Sequence, residues 1–238
     1  MTTPTEAAQP LKRARQPKQK EQRRDAFLQA ALELFIAANG QLPKMADVAT
    51  RCQLAKGTAY IYFDTKEEMF LTLLEQQQQS WHQKIQREVR RPQQPQASDV
   101  WQALQSWETD APQLWRLAAL YQPLLETTLD SKLVLAYRTR SGQLFRQTAD
   151  KIREALQLPV GQSALPTLMQ SYAVMLGLWQ QSQLPAALSR VSNASGGQGL
   201  TVPLAASGEK IIVPLWQAFI DASAPAPKAK GLGGWFNR

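Results

Sequence analysis

Sulfur and imidazole are scarce in this chain of 238 residues, which carries one cysteine, Cys52, and one histidine, His82. A single cysteine excludes a disulfide within the chain and any cysteine-based metal site, and it suits a reducing compartment. A single histidine speaks against a histidine-built zinc site and against a Ser-His-Asp triad. A Gly-rich phosphate loop and a paired-carboxylate motif are also lacking, so no enzyme, cofactor or metal is expected. Long hydrophobic runs are missing too. Tyr172 to Trp179 is far too short to cross a bilayer. Arg23 to Ala38 begins basic and continues apolar, like a signal peptide. However, Glu33 interrupts it and its apolar residues recur at helical spacing. A soluble, cytoplasmic protein with no membrane partner is expected.

Hydrophobic residues make up 44% of the chain, enough for a substantial core. The net charge is +8, and it sits at the ends. Met1 to Lys66 holds 11 Lys/Arg against 6 Asp/Glu, Glu67 to Ser223 holds 13 of each, and Ala224 to Arg238 adds 3 basic residues and no acid. A basic block on a small N-terminal unit fits a polyanion partner.

The pattern is all-α. Residues 1–19, with Lys12, Arg13, Arg15 and Lys18, read as a flexible basic arm. A first helix is predicted from Lys20 to Ala38, with Phe27, Ala31, Leu34, Phe35 and Ala38 on one stripe and Asn39-Gly40 as a left-handed stop. Short helices are predicted over Lys44–Arg51 and Lys56–Tyr62. A long one follows Thr65, opened by a Thr65/Glu68 capping box and facing inward through Phe70, Leu74, Gln77, Trp81, Ile85 and Val89. Further helices are predicted over Ser98–Thr109, Ala111–Thr127, Ser131–Leu156, Ser163–Leu188 and Ser207–Ala222. Asp110 would cap the second of these, with Pro112 in its first turn and Pro123 kinking it. Val191–Pro203 reads as a Gly/Ser-rich loop, and residues 224–238 as a flexible tail. The domains expected are 20–66 for DNA binding and 67–223 for effector binding and dimerisation.

Lys44 to Phe63 carries the chemistry. Met45, Val48, Ala49, Cys52, Leu54 and Ala59 are spaced to bury one side of two short helices against a third. This leaves Lys56, Gly57, Thr58, Tyr60 or Ile61, and Tyr62 for the outer face. A cation, a bare backbone, a hydroxyl-methyl group and phenols together suit a DNA major groove and its phosphates. Buried Ala and Leu at helix-helix turns also occur in proteins that bind nothing.

The stretch from Phe27 to Leu74 resembles the DNA-binding domain of the TetR/AcrR-type repressors. The resemblance rests on F-L-Q-A-A-L-E-L-F (Phe27 to Phe35), Gly40, D-V-A (Asp47 to Ala49), K-G-T-A-Y-I-Y-F (Lys56 to Phe63) and T-K-E-E-M-F (Thr65 to Phe70). Beyond it, the helical layout and M-L-G-L-W (Met175 to Trp179) are similar to the family. The resemblance implies that Lys56, Gly57 and Thr58 open the recognition helix near bases and phosphates. Tyr60 would pack within the domain and touch the DNA backbone, while Tyr62 and Lys66 would contact phosphate. Three residues depart from the family. Lys44 stands for a capping Thr, leaving Asp47 half a capping box, and its ammonium could take over the phosphate contact. Ala55 stands for a capping Ser, at about 1 kcal/mol. Gln53 stands for the turn Gly and would need a left-handed backbone.

The helices of Leu165–Trp179 and Val213–Ile220 are apolar nearly all round, so both sides must be covered. The resemblance implies a homodimer built from these helices, with Met175, Leu178, Val213, Trp216 and Ile220 as candidate contacts. Two recognition helices about 34 Å apart would then read a near-palindromic operator on double-stranded DNA. Trp101, Trp115, Tyr121, Tyr137, Tyr172 and Trp179, with Trp107 and Phe145, are either ordinary core or the lining of a pocket for a small-molecule effector. Arg116, Glu126, Arg138 and Arg140 are candidates for its polar end. The function expected is a DNA-binding transcriptional repressor released by a small molecule. The alternative is a DNA-binding regulator that is effector-independent or controlled by a protein partner.

Overall fold

In a computed structural model of the chain, residues 17–183 and 202–223 are described, and among them every regular element is helical. The expected arm up to residue 16, the loop expected at 191–203 up to residue 201, and the expected tail lie outside the described residues. The chain divides into two units. One holds residues 1–83 and 106–144, and the other holds 84–105 and 145–238.

The first unit begins with α1 (Pro17–Ala37), three residues inside the segment expected to be flexible. Proline is pre-organised for a first helical position, and the Lys/Gln/Glu run behind it has good helix propensity. Phe27, Ala31 and Phe35 are buried as expected, together with Leu28 and Ala30, but Ala38 is exposed. Asn39 and Gly40 are both left-handed, and Gly40 N–H closes the helix on Phe35 O at 2.8 Å. α2 (Met45–Arg51) and α3 (Lys56–Ala59) follow. α3 stops three residues short of expectation. The aromatic and β-branched Tyr60-Ile61-Tyr62 favours helix poorly, and the chain tightens into i→i+3 bonds from Ile61 to Thr58 and Tyr62 to Ala59.

α4 (Lys66–Glu88) crosses from this unit into the next. Thr65 Oγ1 accepts from Glu68 N–H at 3.1 Å, while Glu68 Oε2 accepts from Asp64 N–H at 2.9 Å, one residue earlier than a simple capping box would have it. Phe70, Leu74, Trp81, Ile85 and Val89 are buried along the expected stripe. Gln77 is half-buried and accepts from the Gln113 N–H at 3.1 Å.

The helix expected over Ser98–Thr109 is two, α5 (Ala97–Leu104) and α6 (Trp107–Asp110). Asp110 ends α6 instead of capping its successor, and Pro112 precedes α7 (Leu114–Leu120), which no side chain caps. A π-helical turn at Tyr121–Leu125 then leads into α8 (Glu126–Thr128). Pro123 lies in that turn and has no N–H to donate, which accounts for the break expected there. α9 (Ser131–Ala155) passes from the first unit into the second.

The second unit is completed by α10 (Leu165–Ser182) and α11 (Leu204–Ser223). α11 packs on both α10 and α5. It contains Pro214, which removes one backbone hydrogen bond from its middle. Trp216 is fully buried, and its indole N–H donates to Ser171 Oγ at 3.0 Å. That hydroxyl in turn donates to Thr167 O at 2.8 Å. The Trp101 ring lies against Gly208 of α11, where a Cβ would meet it at 2.4 Å.

Candidate DNA-binding site and its helical support

The helix-turn-helix is held from beneath by small and apolar residues. Met45, Val48, Ala49 and Ala59 are buried, and Leu54 and Cys52 are half-buried. The Cys52 thiol faces Ala26 O at 3.6 Å, and burial pushes its pKa up, so it is an inert packing group. Gln53 takes the left-handed backbone expected of the turn, with φ 58°. Asp47 Oδ2 accepts from Lys44 N–H at 3.3 Å, the expected half of a capping box, and the Lys44 side chain caps nothing. Ala55 likewise provides no side-chain cap for α3.

This packing leaves an outward surface. Lys44 is exposed, Lys56 opens α3, Gly57 is exposed and Thr58 is half-buried. Nothing lies within 4 Å of where a Cβ on Gly57 would stand, and its φ is not positive. The chain itself therefore has no need of glycine at this position. Ile61 is 66% exposed and Tyr60 46%, so Tyr60 does not pack inside the domain as expected. Ala59 fills the inner position instead. Tyr62 is half-buried, with its ring 5.4 Å from Phe27. Lys66 sits at the start of α4 with its ammonium 3.8 Å from Glu67. Arg51 is turned back to Glu33 at 2.9 Å, which holds that carboxyl below its usual range and ties α2 to α1.

The effector candidates fall in both units. In the first, Trp115 is buried with its ring 5.5 Å from Trp81 and 6.1 Å from Trp107, and Tyr121 lies 4.6 Å from Tyr137. Burial pushes the Tyr121 phenol up, with the Arg138 guanidinium pulling the other way. Arg138 pairs with Glu126, and Arg140 with Glu75 at 2.5 Å. The stem of Arg116 lies toward Gly40, whose Cβ would stand 3.7 Å from Arg116 Cδ. His82 is fully buried, and burial lowers its pKa to about 3, so it is neutral near pH 7. In the second unit, Trp101 packs against α11, Tyr172 stands edge-on to Phe145 at 5.3 Å, and Trp179 is half-buried.

Two of the candidate dimer residues must be withdrawn. Met175 and Trp216 are both 0% exposed within their own chain, so neither can meet a partner. Leu178, Val213 and Ile220 are half-buried. The apolar residues that do face outward are Met169 on α10, 56% exposed, and Ile211 on α11, 46% exposed. Along α10, Ala173 is exposed and Gly177 has nothing within 4 Å of a would-be Cβ. The spacing Met169, Ala173, Gly177 puts these three on one stripe, a signal the sequence already contained.

A three-helix head with a bare, partly basic recognition surface defines a helix-turn-helix DNA-binding protein. Residues 27–73 match the family model for bacterial regulatory proteins of the tetR family, and residues 75–217 match that for tetracyclin repressor-like C-terminal domains. The chain belongs to the TetR family and is a DNA-binding transcriptional regulator. It is similar in fold to a protein from Mesorhizobium loti MAFF303099 described as a TetR-family transcriptional regulator. The TM-score is 0.55 at 16% identity, over 85% of this chain and 97% of that one. SmeT, the repressor of the Stenotrophomonas maltophilia multidrug efflux pump SmeDEF, gives a TM-score of 0.49 at 14% identity, over 85% of this chain and 91% of that one. No curated protein matches the chain in sequence. Among the described residues, no helix is long and apolar enough to cross a membrane and no group of His, Cys, Asp and Glu could hold a metal.

Proposed function

We propose that the protein is a cytoplasmic repressor that binds a near-palindromic operator as a homodimer and is released by a small molecule. The observation that carries the DNA reading is Gly57. A glycine in a helix costs up to about 1 kcal/mol relative to alanine. No neighbour in the chain occupies the space that its missing side chain leaves. A backbone bared without internal need fits the close approach of a duplex. Lys44, Lys56 and Lys66 would supply charge for phosphates, Tyr62 a phenol, and Thr58, Tyr60 and Ile61 groups for base edges.

The dimer reading is supported by α10 and α11. Met169 and Ala173 of α10 and Ile211 of α11 are exposed and Gly177 is uncrowded, and a second copy would cover them. Leu178, Val213 and Ile220 would border them. Release is supported by the links between the aromatic cluster and the head within the first unit. Trp115 packs on Trp81 of α4, Gln113 is bonded to Gln77 of α4, and Arg116 lies toward Gly40 at the end of α1. A ligand among Trp81, Trp107 and Trp115 would move α4 and α1 together and change the spacing of the recognition helices.

Selection tests this reading. Full-length protein is equilibrated with random duplexes, and the bound ones are sequenced. The expected result is an inverted pair of half-sites whose centres lie about one helical turn, or a multiple of it, apart. Enrichment of an unpaired half-site would overturn the dimeric reading, and no enrichment would overturn operator binding. Compounds that raise the melting temperature and release the selected duplex would establish effector control.

A further inference from the structure

Asp64 and Thr65 alone join Phe63, at the end of the recognition segment, to the start of α4. So short a joint limits distance, but each of its residues keeps two soft backbone dihedrals. The angle between recognition helix and α4 is therefore set by contacts that span the joint. One of these comes from a third element. Arg24 of α1 lies over the Phe63 ring, with its guanidinium carbon 4.7 Å from the ring centroid. Its Nη2 donates to Thr72 Oγ1, in the second turn of α4, at 3.2 Å.

The chemistry suits the task. A guanidinium is planar, so it meets an aromatic ring through its face while its edge donates hydrogen bonds. The Thr72 hydroxyl has one proton, which it gives to Glu68 O at 3.0 Å, and this leaves its lone pairs for Arg24. Glu68 is also the residue whose carboxylate accepts from Asp64 N–H, inside the joint. Arg24 thus ties the residue just before the joint to the helix just after it. Phe63 is buried and Thr72 half-buried, so the contact serves DNA only through what it positions.

We propose that Arg24 is a positioning residue for operator reading: it braces the Asp64–Thr65 joint and fixes the angle at which the recognition helix leaves α4. This rests on the operator-binding reading above. Contacts to base edges need a well-placed helix, whereas phosphate contacts are made on any sequence. A loosened joint must be ordered again in each specific complex, so discrimination between sequences falls first.

The test uses the full-length protein, the duplex it selects and a duplex of scrambled sequence. Failure of the wild type to select any duplex would sink the operator reading itself. With selection in hand, Thr72→Val removes the acceptor and keeps every charge. It should lower the ratio of the two affinities roughly threefold to tenfold, with binding to the scrambled duplex and its salt dependence unchanged. Arg24→Met loses both contacts and should lower the ratio further. Adding Thr72→Val to Arg24→Met should then change the ratio by less than about twofold, since both act through one contact. An unchanged ratio in folded Thr72→Val and Arg24→Met would overturn the proposal. A lower melting temperature with the ratio intact would also overturn it, making Arg24 a structural residue. Equal weakening on both duplexes with a smaller salt slope would overturn it as well, making Arg24 a phosphate contact.

Discussion

Around Gly57, in the helix-turn-helix, nothing beyond its chain neighbours and its own helix backbone lies within 4 Å of where a Cβ would stand, whereas at Gly208, in α11, the same atom would meet the Trp101 ring at 2.4 Å. One glycine is open to the outside and the other is closed by its own chain. The contrast extends to the regions that contain them. The head buries Phe27, Phe35 and Phe63 among small residues such as Ala30, Ala31, Ala49 and Ala59, and presents Lys44, Tyr60 and Ile61 outward. The second unit buries Trp101, Met175 and Trp216, and turns Met169 of α10 and Ile211 of α11 outward. Substitutions on the open surface of the head should be felt by DNA, and those in the interior of the bundle by stability.

The largest stability effect should come from Trp216→Ala. It opens a cavity and leaves the Ser171 hydroxyl without its indole donor, so a loss of about 3–5 kcal/mol is expected in chemical denaturation. A loss below about 1 kcal/mol would mean that the second unit is not held by its interior. Gly208→Ala is next, because its new methyl must displace a packed ring. About 1–3 kcal/mol should be lost, and a Gly208→Ala/Trp101→Leu pair should lose less than the two single changes added together. Strict additivity would break the claim that these two residues define the α5–α11 contact.

A further effect belongs to the head-bearing unit and is pH-dependent. The unfolded chain takes up a proton on His82 near pH 6.5, while the folded chain resists it until about pH 3. Stability is therefore full above pH 6.5 and falls as the pH drops from 6.5 toward 3, by at most about 1.4 kcal/mol per pH unit. Melting between pH 7 and 5 should show this slope, and His82→Gln should flatten it. An equal slope in the variant would assign the acid sensitivity to other groups.

The head was legible in the sequence because its motif fixes both spacing and burial. The left-handed Asn39, Gly40 and Gln53, the half box of Lys44 and Asp47, and the buried Val48 and Ala49 all follow from local chemistry. Tyr60 was misplaced because α3 ends at Ala59, and the tighter turn after it rotates Tyr60 outward. The bundle was less legible. A helix apolar nearly all round shows that both faces are covered but not which face its own chain covers, so Met175 and Trp216 looked available to a partner.

The central claim is that the head's bare surface serves DNA and not the fold, and Gly57→Glu tests it most directly. The variant's melting temperature should stay within the range of a neutral surface change, about 0.5 kcal/mol, because the space beyond Gly57 is open. Binding to the selected duplex should fall more than about a hundredfold, as a carboxylate would repel phosphates where the proposed interface needs bare backbone. Retained binding, or a loss of binding that merely follows a loss of folding, would contradict the account.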